Sequence, residues 1–214
     1  NFTWDVSLNW AKNNNKVEAL YPGINSYLYA TNRFDTRLEH RVGGEWGVYV
    51  GRKWRTDPNK GNQYVINASG QPEYDINQKI GQVLPEWTGG MFNSLGYKGF
   101  NLMFSIDFQN GGLFYSETRN FNTGAGLSEE TVGLNDKGHD WRDYPGSYTL
   151  AGGNTGMGGI RVPGVFADGT PNNRYIPARA YWYTARQRDA SNVLLDASYI
   201  KLREVRLGYN IPSK

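Results

Sequence analysis

Residues 85–109, PEWTGGMFNSLGYKGFNLMFSIDFQ, constrain the fold more than any other stretch of the chain. Phe100, Leu102, Phe104, Ile106 and Phe108 fall on one parity, and Asn101, Met103, Ser105, Asp107 and Gln109 fall on the other. Such alternation defines a strand with one apolar and one mainly polar face. Upstream, Trp87, Met91, Leu95 and Tyr97 share a parity, with Glu86, Thr88, Gly90, Ser94 and Gly96 on the other. Lys98-Gly99 joins the two runs. A two-residue turn sets Tyr97 opposite Phe100, Leu95 opposite Leu102 and Met91 opposite Ile106. The two apolar faces coincide, so the predicted register is self-consistent.

That face carries aromatics at both ends, Tyr97 and Phe100 beside the turn, Trp87 and Phe108 away from it. Membrane strands place aromatic rings at the two lipid–water interfaces and need roughly 9–11 residues to cross. A half-buried strand of a soluble sandwich alternates in the same way, so periodicity leaves both readings open.

Composition narrows the field. The 214 residues suffice for one domain of ordinary size. Cysteine is absent, which removes disulfides and thiolate metal sites. The net charge of +3 comes from 23 basic and 20 acidic residues with no long Lys/Arg run, so no nucleic-acid partner is expected despite a pI near 9.0. No stretch approaches 18 consecutive apolar residues, which excludes a membrane helix from this sequence. The negative mean hydropathy is compatible with barrel strands, which are apolar on one side only. The chain opens on Asn1 with neither an initiator Met nor a signal peptide, as expected of a mature product or a piece of something longer.

Asn1–Trp10 is a second alternating strand, with Phe2, Trp4, Val6, Leu8 and Trp10 on one face. It ends in the polar turn Ala11–Lys16. Val17–Leu20 reads as a short strand, Asn25–Val42 as irregular, and Glu45–Trp54 as a strand interrupted by Gly47 and Gly51. Tyr64–Ile66 suggests another short strand. Residues 110–197 hold few periodic runs and a Gly-rich tract, Gly152–Gly159. The last strand, Ser198–Ile211, has Tyr199, Val205, Leu207, Tyr209 and Ile211 in phase, Lys201 and Arg203 intruding, and Pro212 as its stop. One two-residue connection therefore lies at one end of the strands, and connections of roughly 75 and 85 residues lie at the other, far beyond ordinary loop lengths. Outer-membrane barrels have this asymmetry.

Three tracts resemble SusC/RagA-type TonB-dependent outer-membrane transporters: Gly81-Gln82-Val83-Leu84-Pro85-Glu86-Trp87-Thr88-Gly89-Gly90 followed by Tyr97-Lys98-Gly99-Phe100, the closing run Asp196–Pro212 (DASYIKLREVRLGYNIP), and the opening Phe2-Thr3-Trp4 with its Asn-rich turn and Val17. They occur in the family's order and span nearly the whole chain. The resemblance implies an all-β fold, a 22-stranded transmembrane antiparallel barrel with an N-terminal plug, localised in the bacterial outer membrane. It further implies TonB-driven import of oligosaccharides or peptides, with a SusD-like surface lipoprotein as partner. The chain departs from the family in carrying no plug, no TonB-interacting segment and too few strands to close a barrel. It is therefore expected to be a partial barrel, the C-terminal portion, with wall strands over about 1–10, 87–97, 100–108 and 198–211 and extracellular connections over about 11–86 and 110–197. TonB would act through a segment outside these residues. Strand direction allows only zero or two wall strands between residues 11 and 86.

Candidate chemistry is sparse. His139-Asp140-Trp141 lacks calcium-loop spacing and reads as solvated loop, and His40 reads as polar surface. Glu129-Glu130, or Asp140 with Asp143, reads as solvated acids rather than a glycosidase pair. Gly152–Gly159 lacks the G-K-[ST] of a phosphate loop. No cofactor is called for, and the chain is read as non-enzymatic. The sequons at Asn1 and Asn67 read as accidental. Trp141, Tyr144, Tyr181, Trp182 and Tyr183 are candidates to contact a ligand or a lid, because aromatic faces stack on sugars and peptides; packing of the long connection against itself is the alternative. Asn101, Ser105 and Asp107 are expected to face the lumen. A secreted all-β glycan-binding module without catalysis is the alternative function.

Overall fold

The computed structural model describes residues 2–145, 153 and 155–211. Asn1 of the first sequon, Gly152 of the glycine tract and Pro212 lie outside them. The strands are β1 (Phe2–Lys12), β2 (Ser26–Thr31), β3 (Arg37–Arg41), β4 (Val48–Trp54), β5 (Thr56–Asp57), β6 (Gln63–Tyr64), β7 (Tyr74–Gln82), β8 (Trp87–Tyr97), β9 (Phe100–Asn110), β10 (Leu113–Tyr115), β11 (Leu194–Asp196) and β12 (Tyr199–Tyr209). One α-helix, α1 (Glu117–Gly124), and a π-helical segment, Ala180–Arg186, complete the regular structure with short 3-10 turns. The architecture is mostly antiparallel sheet, and the described strands do not close into a barrel.

Four long strands form one sheet in the order β1-β8-β9-β12, all antiparallel. The hairpin register follows the alternation, with Tyr97 opposite Phe100, Leu95 opposite Leu102 and Met91 opposite Ile106. Lys98 and Gly99 both have positive φ, +47° and +88°, as a type I′ turn requires. Because β1 pairs directly with β8, no described strand from residues 13–86 enters this sheet. Side chains line up in transverse rows. Phe2, Tyr97, Phe100 and Tyr209 form an aromatic row at the turn end; Trp4, Leu95, Leu102 and Leu207 form the next. At the far end stand Trp10, Phe108 and Ile200, then Trp87. The Phe108 ring covers Gly89, where any β-carbon would collide with it.

The last strand departs from the sequence reading. A β-bulge between Leu202 and Glu204 leaves Arg203 unpaired and shifts the alternation by one residue. Ile200 and Leu202 therefore share the apolar face with Val205, Leu207 and Tyr209, while Tyr199, Lys201 and Arg203 turn to the polar face. The two cations that break a simple alternation do so only because the phase changes between them and Val205.

Residues 13–86 and 111–198 build a separate lobe at the open end of the sheet. The stretch expected to be irregular, residues 25–42, instead supplies β2 and β3 to a second sheet, β2-β3-β4-β7. Val17–Leu20 forms no strand; Val17 is buried and exchanges backbone hydrogen bonds with Gly43 and Gly44. The two long connections share one core of Trp54, Ile66, Val162, Ile176 and Ala185, drawn from both. Trp54 ties them together: its backbone N–H donates to Asp189 Oδ2 at 3.0 Å and its Nε1–H to the Ala185 carbonyl at 3.1 Å. The Tyr74 hydroxyl donates to the same carbonyl at 3.1 Å.

Candidate functional site

The first candidate surface is the polar face of the long sheet. Strand parity places Asn101, Ser105 and Asp107 on it, opposite Gly96, Phe92 and Gly90 of β8. The bulge adds charge there: Arg203 Nε lies 2.6 Å from Asp107 Oδ2, and the Arg203 and Lys201 cations sit 5.9 and 4.3 Å from the Tyr199 ring. Arg206 pairs with Glu204 at 2.8 Å on the same strand. Opposite charges alternate along this face rather than presenting one sign. A bulge is visible in sequence only as two apolar runs out of phase, Ile200/Leu202 then Val205/Leu207/Tyr209.

In its middle row the apolar face holds a polar intruder, Asn93, flanked by Val6 and Phe104. It is buried beneath its neighbours, and its Oδ1 accepts from Trp4 Nε1 at 3.2 Å. The indole thus meets its polar requirement within the face, one strand away.

The second candidate surface lies on the lobe. Trp141, Tyr181 and Trp182 pack with Ile160 and Ala178 into a second small core, with ring centroids 6.0 Å apart for Trp141–Trp182 and 4.9 Å for Tyr181–Trp182. Arg186 lies 5.4 Å above the Trp182 ring while pairing with Glu130 at 3.1 Å. Tyr144 packs over Gly159, which has a positive φ and no room for a β-carbon. Tyr183 differs from the rest: it is exposed, meets Phe34 of the first connection edge-on at 6.3 Å, and carries Arg179 5.7 Å from its ring. Tyr183 and Trp182 line a cleft of about 530 Å³ with Arg142, Arg179, Val132 and Ala178, closed on one side by the end of α1. Arg142 and Arg179 carry no motif that sequence reasoning could have seized on; only the fold brings them together.

Two acids expected to be solvated are held. Asp143 is buried; the Thr155 hydroxyl at 2.5 Å and the Gly156 N–H at 3.0 Å hold its carboxyl below the usual carboxylate range. Burial works against the Glu130 charge, yet the Thr123 hydroxyl at 2.8 Å and the Arg186 guanidinium outweigh it and hold that carboxyl low as well. Nor is His40 surface: it is buried, stacked on Trp46 at 3.8 Å and on Tyr27 at 6.3 Å, and its Nδ1 accepts the Gly47 N–H at 3.1 Å. Each group has structural partners. Among the described residues no three His, Cys, Asp or Glu side chains cluster as metal ligands would.

Known proteins place this geometry in a context. No protein-family model matches the chain. It is similar to TonB-dependent receptor P3 of Formosa agariphila, at 22% identity over 232 residues, covering 99% of this chain. The chain spans 20% of that relative's length. The similarity supports a relationship of the TonB-dependent-receptor kind.

Proposed function

We propose that the chain forms part of the wall and external lobe of a TonB-dependent outer-membrane importer, with β1, β8, β9 and β12 crossing the bilayer. The observation that carries this is the long sheet's two-sided character. Its apolar face bears aromatic rows at both ends and has none of the described residues packed on it, while its opposite face is polar and mixed in charge. From the Phe2–Tyr97 row to the Lys12–Trp87 row is ten residues, about 33 Å along a strand. Tilted by about 40°, that projects to roughly 25 Å, the height of a barrel's apolar band. Asn101, Ser105, Asp107 and Arg203 then line the lumen, and the lobe stands outside the cell over its mouth. Cargo is an oligosaccharide or peptide, and a SusD-like lipoprotein covers the lobe, on the strength of the resemblance to SusC/RagA transporters. No step in this function is catalytic.

Cells expressing the full-length protein test the proposal. Uptake of the cargo should stop when the proton-motive force is collapsed, and a surface lipoprotein should co-purify in near-equal amount from detergent-solubilised outer membrane. Uptake that persists without the proton-motive force, or recovery of the protein only from the soluble fraction, would overturn it.

A further inference from the structure

We propose that the lobe's cleft binds an acidic sugar, a uronate-type residue of an oligosaccharide, with Arg179 taking its carboxylate and Arg142 standing at the wall beside it. The inference rests on reading the lobe as the cargo-facing part of an importer and narrows the cargo to one chemical class.

The cleft's size, about 530 Å³, lies in the range of small-ligand sites. Among the described residues its lining has two guanidinium groups and no acidic side chain, with Arg142 neutralised by Asp140 and Arg179 left as the open cation. Most lobe arginines are neutralised, as Arg55 is by Glu73 and Asp75, Arg161 by Asp136 and Arg186 by Glu130. Among the described residues Arg179 pairs with no carboxylate, and its guanidinium lies 5.7 Å from the Tyr183 ring. Arg142 is anchored by Asp140, with Nε 2.9 Å from Oδ1 and Nη2 2.5 Å from Oδ2, which fixes its position at the cleft wall. Asp140 thus occupies the Nε/Nη2 fork of Arg142, and the open fork for a planar carboxylate is that of Arg179.

The wall beside Arg179 suits a sugar, with groups for its hydroxyls and an apolar surface for its ring. The cleft offers the guanidinium donors of Arg179 and Arg142, whereas Trp182 Nε1–H, without an acceptor among the described residues, is buried away from the opening. The Thr131 hydroxyl donates to the Ser128 carbonyl, which leaves its lone pairs free to accept from a ligand hydroxyl. Sugar hydroxyls accept as readily as they donate, so they can meet both the guanidinium donors and the Thr131 oxygen. Tyr183, Val132 and Ala178 supply an apolar surface for the C–H face of a pyranose ring.

The full-length protein in detergent is titrated calorimetrically with three probes: α-1,4-linked trigalacturonate, maltotriose and triglutamate. Trigalacturonate should bind, with both other probes at least about tenfold weaker. Arg179→Ala should weaken it by about tenfold or more, and Arg179→Lys should recover part of the loss, since charge remains and the fork does not. The Arg179 side chain is exposed, so the variant should fold; Arg142→Ala, which frees Asp140, provides the second test. Equal binding of maltotriose, tighter binding of triglutamate, no binding of any probe, or indifference to both substitutions would each overturn the site. Detergent titration does not depend on transport: a protein that binds but is recovered from the soluble fraction would overturn the importer and spare the cleft.

Discussion

The long sheet and the lobe it carries use apolar residues in opposite ways. In the sheet, Leu8, Ile200 and Leu207 are 69%, 82% and 73% exposed, and none of the described residues covers them. In the lobe, Val50, Val162 and Ala185 are fully buried and Ile66 is 1% exposed. The lobe is therefore a globular unit whose stability comes from its own packing. The sheet is held by backbone ladders and cross-strand pairs alone, and its apolar face needs an outside partner. A soluble sheet with such a face would be an aggregation site; lipid removes that liability.

The contrast can be broken most forcefully at Trp54, the residue that joins the two connections. Trp54→Ala should cost the lobe about 3–5 kcal/mol, from the lost indole and its hydrogen bond to Ala185. Hydrogen exchange should show residues 13–86 and 111–198 losing protection together while β8 and β9 keep theirs. Loss of protection in both would mean that sheet and lobe are one cooperative unit. On the sheet itself the two faces should respond unequally. Phe104→Arg should cost about 2–4 kcal/mol of folded barrel in lipid, whereas Ser105→Arg, one residue along, should change stability by under about 1 kcal/mol. Heat-modified gel mobility of protein refolded into vesicles reads both, and equal effects would erase the distinction between faces. A smaller change should follow Gly89→Val, where the β-carbon meets both the Phe108 ring and the Asn9 carbonyl oxygen: about 1–3 kcal/mol of overpacking strain, relieved only in part by Phe108→Ala in the same chain.

Acid should separate the two regions by the least. Asp143 and Glu130 have carboxyls held below their ordinary range. Groups depressed in the folded state stabilise it above their unfolded values and lose that contribution as pH falls through the folded ones. The lobe's melting temperature should therefore decline below roughly pH 4. Asp143→Asn, which keeps the shape but not the charge, should flatten that decline.

Legibility followed the same divide. The sheet was readable because its information is local: alternation names the face, and a two-residue turn sets the register between neighbours. It failed at one place, Arg203, where a bulge shifts the phase. The lobe was not readable, since its core joins Trp54 to Ala185 and Ile66 to Val162 across roughly a hundred residues, and no periodicity records such pairings. Hence β2 and β3 read as irregular, and His40 read as surface although Trp46 and Gly47 enclose it. The candidate site divides likewise. Aromatic clustering at residues 181–183 was visible, but not that Trp182 faces a core while Tyr183 faces a cleft beside Arg179.

The most direct test of the central claim is accessibility along β9. Single cysteines at positions 104 and 105 of the full-length protein, spin-labelled in lipid vesicles, are exposed in turn to a lipid-soluble and a water-soluble relaxation agent. The account predicts that the label at Phe104 relaxes with the lipid-soluble agent and the label at Ser105 with the water-soluble one. A label at Phe104 that responds to neither, or to the water-soluble agent alone, would mean that this face meets protein or water and that the sheet does not cross a bilayer.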